Sequence, residues 1–170
     1  MMISNKLERL KPLVGVISFV GVSTALISFF GSFTEPMEIG KIFMSMFFLT
    51  FGGFKAYNLE GFKEAFKSYD ILAEKSDVYA TVYPFLELGL GVLYLSLIFR
   101  SSFLLEVFTH SSAMIIMAVG GIGVLNAIRE GRDLQCACLG NVFNVPMTKV
   151  TLAEDLGMAL MAGVMLAAIL

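Results

Sequence analysis

Residues Tyr79–Phe99 read YATVYPFLELGLGVLYLSLIF, an apolar run whose only charged residue is Glu87. At about 1.5 Å per residue, a helix of about 20 residues spans the roughly 30 Å of hydrocarbon in a bilayer. This run therefore predicts a transmembrane helix that carries an ionisable group inside it.

Four further apolar runs have a comparable length. The chain is 57% hydrophobic and 15% charged, with a mean hydropathy of +0.82, whereas a soluble domain has about 25% charged residues. We predict an all-α fold, a polytopic transmembrane helical bundle in the lipid bilayer. A net charge of −2 without a basic run argues against a nucleic-acid partner. The four other spans are Leu13–Phe30, Gly40–Phe54, Leu105–Ile128 and Leu152–Leu170.

The lysines and arginines predict the orientation of this bundle, because basic residues favour the cytoplasmic ends of spans. Lys41 and Arg100 are the only two of the 12 that fall on the other side. We therefore expect a multi-pass protein of the inner (plasma) membrane, with the N-terminus and the loop over residues 129–151 in the cytoplasm. The basic residues that share this side are Lys6, Arg9, Lys11, Lys55, Lys63, Lys67, Lys75, Arg129, Arg132 and Lys149.

The connection between the second and third spans carries an amphipathic pattern. Apolar side chains recur at three- and four-residue steps, with Lys63, Glu64 and Lys67 between them. The pattern predicts an amphipathic helix near residues 59–73 that lies in the headgroup plane and ties the two spans together. Docking of a partner is the alternative. The apolar positions are Leu59, Phe62, Phe66, Tyr69 and Ala73.

Glu87 is an ionisable residue inside the third predicted span, where a charged group is energetically costly. It lies about 12 Å into the span, and intramembrane ionisable groups are functional candidates. Tyr83 lies one helical turn before it, on the same face, and Pro84 is expected to kink the helix. We expect Glu87 to face the bundle interior, with Tyr83, Lys55 or Asn126 as partner. A hydrogen-bonded packing role is the alternative.

Cys136 and Cys138 are the only two cysteines, and both lie in the loop over residues 129–151. A disulfide between residues two apart closes a small, strained ring, which makes it easy to reduce and a poor staple. The pair therefore suits thiol–disulfide exchange, with Arg132 stabilising a thiolate and Glu87 accepting a proton. A cytoplasmic position would keep the thiols reduced at rest.

Two other interpretations stay open for the same loop. Cys136 and Cys138 could bind or transport a soft metal ion, Cu(I) or Hg(II), with Met147 as an auxiliary ligand. The chain could instead be a structural subunit of a membrane oxidoreductase, which needs no reactive thiol. The predicted topology places seven further polar residues toward the same face as the cysteines, namely Lys55, Tyr69, Asp70, Tyr83, Glu87, Asn126 and Asp155. His110 falls near the opposite face.

The order of several short motifs resembles the MauE branch of the DoxX-like integral membrane proteins, over roughly Gly40 to Leu170. The motifs before the cysteines are Phe54-Lys55, Leu59-Glu60-Gly61-Phe62, Tyr69-Asp70, Tyr79-Ala80, Tyr83-Pro84-Phe85 and Glu87-Leu88-Gly89-Leu90. Those that follow are Cys136-Ala137-Cys138-Leu139-Gly140, Pro146, Thr148-Lys149-Val150-Thr151 and Glu154-Asp155.

The resemblance implies an N-terminal transmembrane helix and outer loop over residues 1–39, followed by a DoxX-like four-helix core over residues 40–170. It also implies a thiol-disulfide redox accessory that matures a partner protein, with a link to methylamine metabolism and a thioredoxin-like or membrane-complex partner. The expected site is the exchanging pair Cys136 and Cys138, tuned by Glu87 and Tyr83. Because a cytoplasmic pair cannot itself act on a periplasmic substrate, the loop is re-entrant, the topology is inverted, or a carrier such as a quinone completes the path.

Overall fold

The structure, a computed structural model, describes residues 2–131, 136–139 and 149–170. Within these ranges it contains helices and no strand. Five helices are long and apolar enough to cross a membrane, which confirms the all-α polytopic bundle. The elements are α1 (Met2–Gly31), α2 (Pro36–Tyr57), α3 (Leu59–Lys67), α4 (Asp77–Phe99), α5 (Phe103–Arg129), a 3₁₀ turn (Ala137–Leu139) and α6 (Lys149–Ile169).

The bundle consists of two closely packed helix pairs, α2 with α4 and α5 with α6, and α1 packs against α2. Small residues bring α2 and α4 together. The Ser45 hydroxyl donates to the Gly91 carbonyl oxygen at 2.9 Å, and a Cβ on Gly52 would lie 3.2 Å from the Pro84 carbonyl oxygen. This close approach allows the end of α2 to reach the middle of α4.

The amphipathic helix is shorter than the pattern predicts, because α3 ends at Lys67. Asp70 redirects the chain after it. Its Oδ1 accepts the backbone N–H groups of Leu72 at 2.9 Å and Ala73 at 2.8 Å, which satisfies a turn in place of another helical turn. Burial raises the pKa of Asp70 above its usual value, against the effect of these two hydrogen bonds.

The apolar face of α3 is covered by protein. Phe62 is 1% exposed and Phe66 is 3% exposed. Their rings lie 6.0 Å and 4.6 Å from the ring of Tyr83 on α4, and α3 also contacts the 3₁₀ turn. The helix therefore forms a wall of the bundle interior at the cysteine end.

Gly123 holds α5 against the turn that follows α3. A Cβ at this position would lie 2.9 Å from the Tyr69 carbonyl oxygen and 3.2 Å from Asp70 Cα. We expect Gly123→Ala to lower the free energy of unfolding by about 1–3 kcal/mol, because the backbone of the turn must move. Thermal unfolding in lipid nanodiscs measures this. Gly89→Ala is the control, since its Cβ would meet nothing within 4 Å; equal losses in both variants would contradict the prediction.

Candidate functional site

A buried ion pair joins α2 to α4 at the cysteine end of the bundle. Lys55 Nζ lies 2.5 Å from Glu87 Oε1, with the two side chains 10% and 1% exposed. Glu87 thus faces the interior and finds Lys55, one of its three predicted partners. Its second oxygen, Oε2, has no hydrogen-bond partner of normal geometry among the described residues, although Tyr83 lies close to the carboxylate.

Aromatic rings surround the Lys55 ammonium group. It lies 5.2 Å from the ring centroid of Tyr83 and 5.8 Å from that of Phe62. Ring faces attract a cation, most strongly where water is excluded. Lys55 is therefore held in one place by a carboxylate and two rings, which keeps its charge inside the bundle.

The two cysteines lie in the interior rather than on an exposed polar loop. Cys136 is 1% exposed and Cys138 is 9% exposed, and both belong to the main apolar core with Leu139. Their sulfur atoms lie at disulfide-bonding distance, and their Cα atoms are 5.3 Å apart. The backbone N–H of Cys138 donates to Cys136 Sγ at 3.1 Å.

Tyr69 ties the turn after α3 to the cysteine segment. The backbone N–H of Ala137 donates to its hydroxyl oxygen. Burial raises the pKa of Tyr69 well above its usual value, and the charge of Asp155 raises it further. Tyr69 therefore keeps its proton at neutral pH and can donate a hydrogen bond in return.

These groups converge on one small cavity of about 20 Å³. A volume of about 10–15 Å³ accommodates one water molecule when polar partners surround it. Gly120 leaves the space open, since a Cβ there would lie 3.5 Å from the Tyr83 hydroxyl oxygen and 3.9 Å from Asp155 Oδ2. The lining residues are Lys55, Phe62, Phe66, Tyr69, Tyr83, Gly120, Cys136, Cys138 and Asp155.

The structure brings together most of the side chains that the topology gathered at this face. Lys55, Tyr69, Tyr83 and Asp155 share the cavity with both cysteines, and Glu87 adjoins it through Lys55. Arg132 and Met147 lie outside the described residues. His110 is fully buried, and its Nδ1 is hydrogen-bonded with the Tyr94 hydroxyl at 3.0 Å.

A second ion pair was not expected from the sequence. Lys41 on α2 is hydrogen-bonded to Glu106 on α5, and Ser101 donates to the same carboxylate oxygen at 2.8 Å. Both residues are buried. One sequence feature could have indicated this pair. Lys41 is one of the two basic residues that the charge asymmetry assigns to the side opposite the cysteines, so a buried acidic partner was a reasonable expectation. Lys41 and Lys55 are both on α2, about 21 Å apart along the helix.

No group of three or more His, Cys, Asp or Glu side chains suited to a metal ion occurs among the described residues. The soft-metal interpretation therefore rests on the two sulfur atoms alone in this part of the chain. Dicoordinate thiolate ligation is a known preference of soft ions, but no third ligand of these types reinforces it here.

Residues 34–168 match the family model of the methylamine utilisation protein MauE. The chain belongs to the MauE family. Comparisons with curated proteins and with solved structures gave no match. The match begins two residues before α2 and ends in the last turn of α6, so the family region contains every residue of the cysteine cavity, while α1 precedes it.

Membership of the MauE family agrees with the resemblance drawn from the sequence motifs. Together with the five membrane-length helices, it makes this chain a multi-pass membrane protein related to the methylamine utilisation proteins.

Proposed function

We propose that this MauE-family protein is a thiol–disulfide redox accessory, in which Cys136 and Cys138 exchange with a thioredoxin-like partner during maturation of another protein. The observation that supports it is the shared cavity. Both cysteines of the chain line it together with a lysine, two tyrosines and an aspartate. A pair of inert packing residues would not need charged neighbours of this kind.

Cys138 is the sulfur atom that an incoming thiolate attacks, because it is the more exposed of the two. The new bond joins the partner's sulfur to Cys138, the Cys136–Cys138 bond breaks, and its electron pair stays on Cys136 as a thiolate. The N–H of Cys138 already points at Cys136 Sγ, so a hydrogen bond stabilises the leaving thiolate.

The Lys55 ammonium group adds a positive charge beside this thiolate, which lowers the energy of the leaving group. The partner's second thiol then attacks the partner sulfur of the mixed disulfide and releases Cys138. One partner disulfide and two thiols of this protein result, with two protons transferred. The hydroxyl groups of Tyr69 and Tyr83 and the carboxyl group of Asp155 line the path for those protons.

Thiol counting in nanodiscs tests the exchange. The oxidised protein is incubated with a reduced thioredoxin-type protein, quenched in acid and alkylated, and its mass is recorded. We expect a gain of two alkylated thiols in the folded protein. Reduction that occurs only after unfolding would overturn the proposal, because it would mean a structural bond. The Cys136→Ser/Cys138→Ser double variant provides the blank.

The proposal places the cysteine end of the bundle in the cytoplasm and the protein in the inner membrane. In the cysteine-free background, Glu64→Cys marks α3 at the cysteine end and Ser102→Cys marks the opposite end; both positions are exposed. A membrane-impermeant maleimide should label the second residue in intact cells and the first only after lysis. The reverse pattern would place exchange on the outer side of the membrane.

A further inference from the structure

A second cavity, of about 360 Å³, lies between α1, α2 and α6. Its walls are apolar, with Ile17 and Val20 from α1, Phe43 and Phe47 from α2, and Met158 from α6. Glu154 is the exception, and it lines the cavity one residue before Asp155 of the cysteine cavity.

The carboxyl group of Glu154 has no explanation in the fold. Both of its oxygens are buried, and neither has a hydrogen-bond partner among the described residues. Because α6 begins at Lys149, Glu154 lies beyond the first turn of the helix rather than at its N-terminal cap. A carboxyl group buried among apolar side chains is stable only in its neutral form, which donates one hydrogen bond.

The space beyond Glu154 has room for a long apolar chain. A larger cavity of about 1000 Å³ is lined by residues from Pro36 to Phe43 on α2 and from Gly157 to Ala168 on α6. The two cavities share Phe43, Gly157 and Met161. Together they form a groove along α6 that runs from Glu154 at the cysteine end toward the opposite end, over about 20 Å of helix.

The groove and the cysteine cavity are lined by consecutive residues of α6, Glu154 and Asp155. Phe47, in the wall of the groove, stacks on Phe51 with ring centroids 4.4 Å apart. Both rings belong to the apolar core that contains Cys136 and Cys138.

We propose that this groove binds a lipid-soluble quinone, which accepts the electrons of the Cys136/Cys138 pair; the inference rests on the proposed thiol exchange. A quinone carbonyl oxygen accepts the hydrogen bond of Glu154, its ring stacks on Phe47, and its isoprenoid tail lies between α2 and α6. Each turnover converts two thiols and one quinone into one disulfide and one hydroquinone. The sulfurs lose two electrons, and the two thiol protons reach the two quinone oxygens.

A quinone explains features that an acyl chain of a phospholipid does not. An acyl chain has no group to accept the hydrogen bond of a buried carboxyl, and it cannot take electrons from a thiol. The reduced cysteine pair also needs an oxidant that accepts two electrons in order to return to the disulfide. Leu160 and Val164, which line the groove, are exposed on the surface of the bundle, so a lipid-soluble quinone can reach it from the side.

Oxidation of the prereduced protein by decylubiquinone in nanodiscs tests the inference, with the rate followed by hydroquinone absorbance. Loss of one hydrogen bond to a neutral group corresponds to about a tenfold change in affinity. We therefore expect Glu154→Leu to raise the KM for decylubiquinone about tenfold, and Glu154→Gln, which keeps a donor, to retain most of the affinity. Unchanged KM in Glu154→Leu would overturn the site.

Gly157→Leu provides a second, steric test. A Cβ at Gly157 would meet nothing within 4 Å, so the larger side chain enters the groove without disturbing the helices. We expect weaker decylubiquinone binding in this variant and an unchanged thiol count with thioredoxin. Gly89→Leu, on the surface of α4, is the matched control and should bind normally.

Equilibrium binding of decylubiquinone to the Cys136→Ser/Cys138→Ser variant separates the two proposals. Binding that persists there and weakens with Glu154→Leu supports the groove, even if thiol exchange fails. Exchange with thioredoxin in a protein that shows no saturable decylubiquinone binding would keep the proposed function and remove the quinone. Displacement of the probe by phospholipid alone would identify an acyl-chain groove and overturn the inference.

Discussion

Lys55→Met should cost about 3–5 kcal/mol of stability, because it leaves Glu87 as an uncompensated charge in the bundle interior. Glu87 is 0% exposed, and Lys55 is the cation bonded to it. We expect a large fall in the unfolding temperature in nanodiscs, or failure of the variant to accumulate. Replacing both partners, as Lys55→Met/Glu87→Leu, should restore most of the loss, since paired removal of a buried ion pair is often neutral.

The Lys55→Met/Glu87→Leu variant then measures how much the Lys55 charge contributes to the rate of thiol–disulfide exchange. Without the Lys55 ammonium group, the Cys136 thiolate is less stable, and exchange with thioredoxin should slow by about tenfold or more. Lys41→Met/Glu106→Leu is the matched control, because it removes the other buried pair on α2, apart from the cysteines. Normal exchange in the Lys55→Met/Glu87→Leu variant would show that the pair is purely structural.

Either serine substitution in the cysteine pair should abolish turnover, since a hydroxyl group cannot form a disulfide. The two variants should differ in what they trap. Cys136→Ser leaves the more exposed Cys138. Its thiolate should form a stable mixed disulfide with a thioredoxin-type protein that lacks its own second cysteine and is supplied as its thionitrobenzoate disulfide, so that thionitrobenzoate is released as the leaving group. Cys138→Ser leaves Cys136, which is 1% exposed and should trap little.

A gel shift that disappears with reductant measures the trapped complex. Gly89→Ala in the Cys136→Ser background serves as the folded control, since its Cβ would meet nothing within 4 Å, and it should trap as much as Cys136→Ser alone. Equal trapping by Cys136→Ser and Cys138→Ser would contradict the order of attack, and stronger trapping through Cys136 would reverse it. The Cys136→Ser/Cys138→Ser variant provides the blank and should show no gel shift.

Composition and periodicity were sufficient to predict the membrane helices, because a span needs only an uninterrupted apolar length. All five predicted spans lie within helices, apart from the final residue, Leu170. The end of α3 was missed, since its pattern continues through Tyr69 and Ala73. Hydrogen bonds from the backbone to Asp70 stop the helix there, and a periodicity argument does not include them.

The candidate site was only partly predictable for a related reason. Alternation of the spans places Lys55, Tyr83, Glu87 and the cysteines at one end of the bundle, whichever helices are neighbours. Which of three groups pairs with Glu87 depends on the close approach of α2 and α4 at Gly52. The placement of Glu154 in an apolar groove likewise depends on how α1 and α6 are spaced.

The sequence alone thus determined that this is a helical membrane protein with its two thiols and an intramembrane acid toward one face. Both properties follow from local chemistry, namely the length of apolar runs and the cost of placing charge in lipid. Only the tertiary structure decided that the cysteines are buried, that Lys55 balances Glu87, and that α3 covers the site. Those outcomes depend on contacts between residues distant in sequence, which arise from the packing of whole helices.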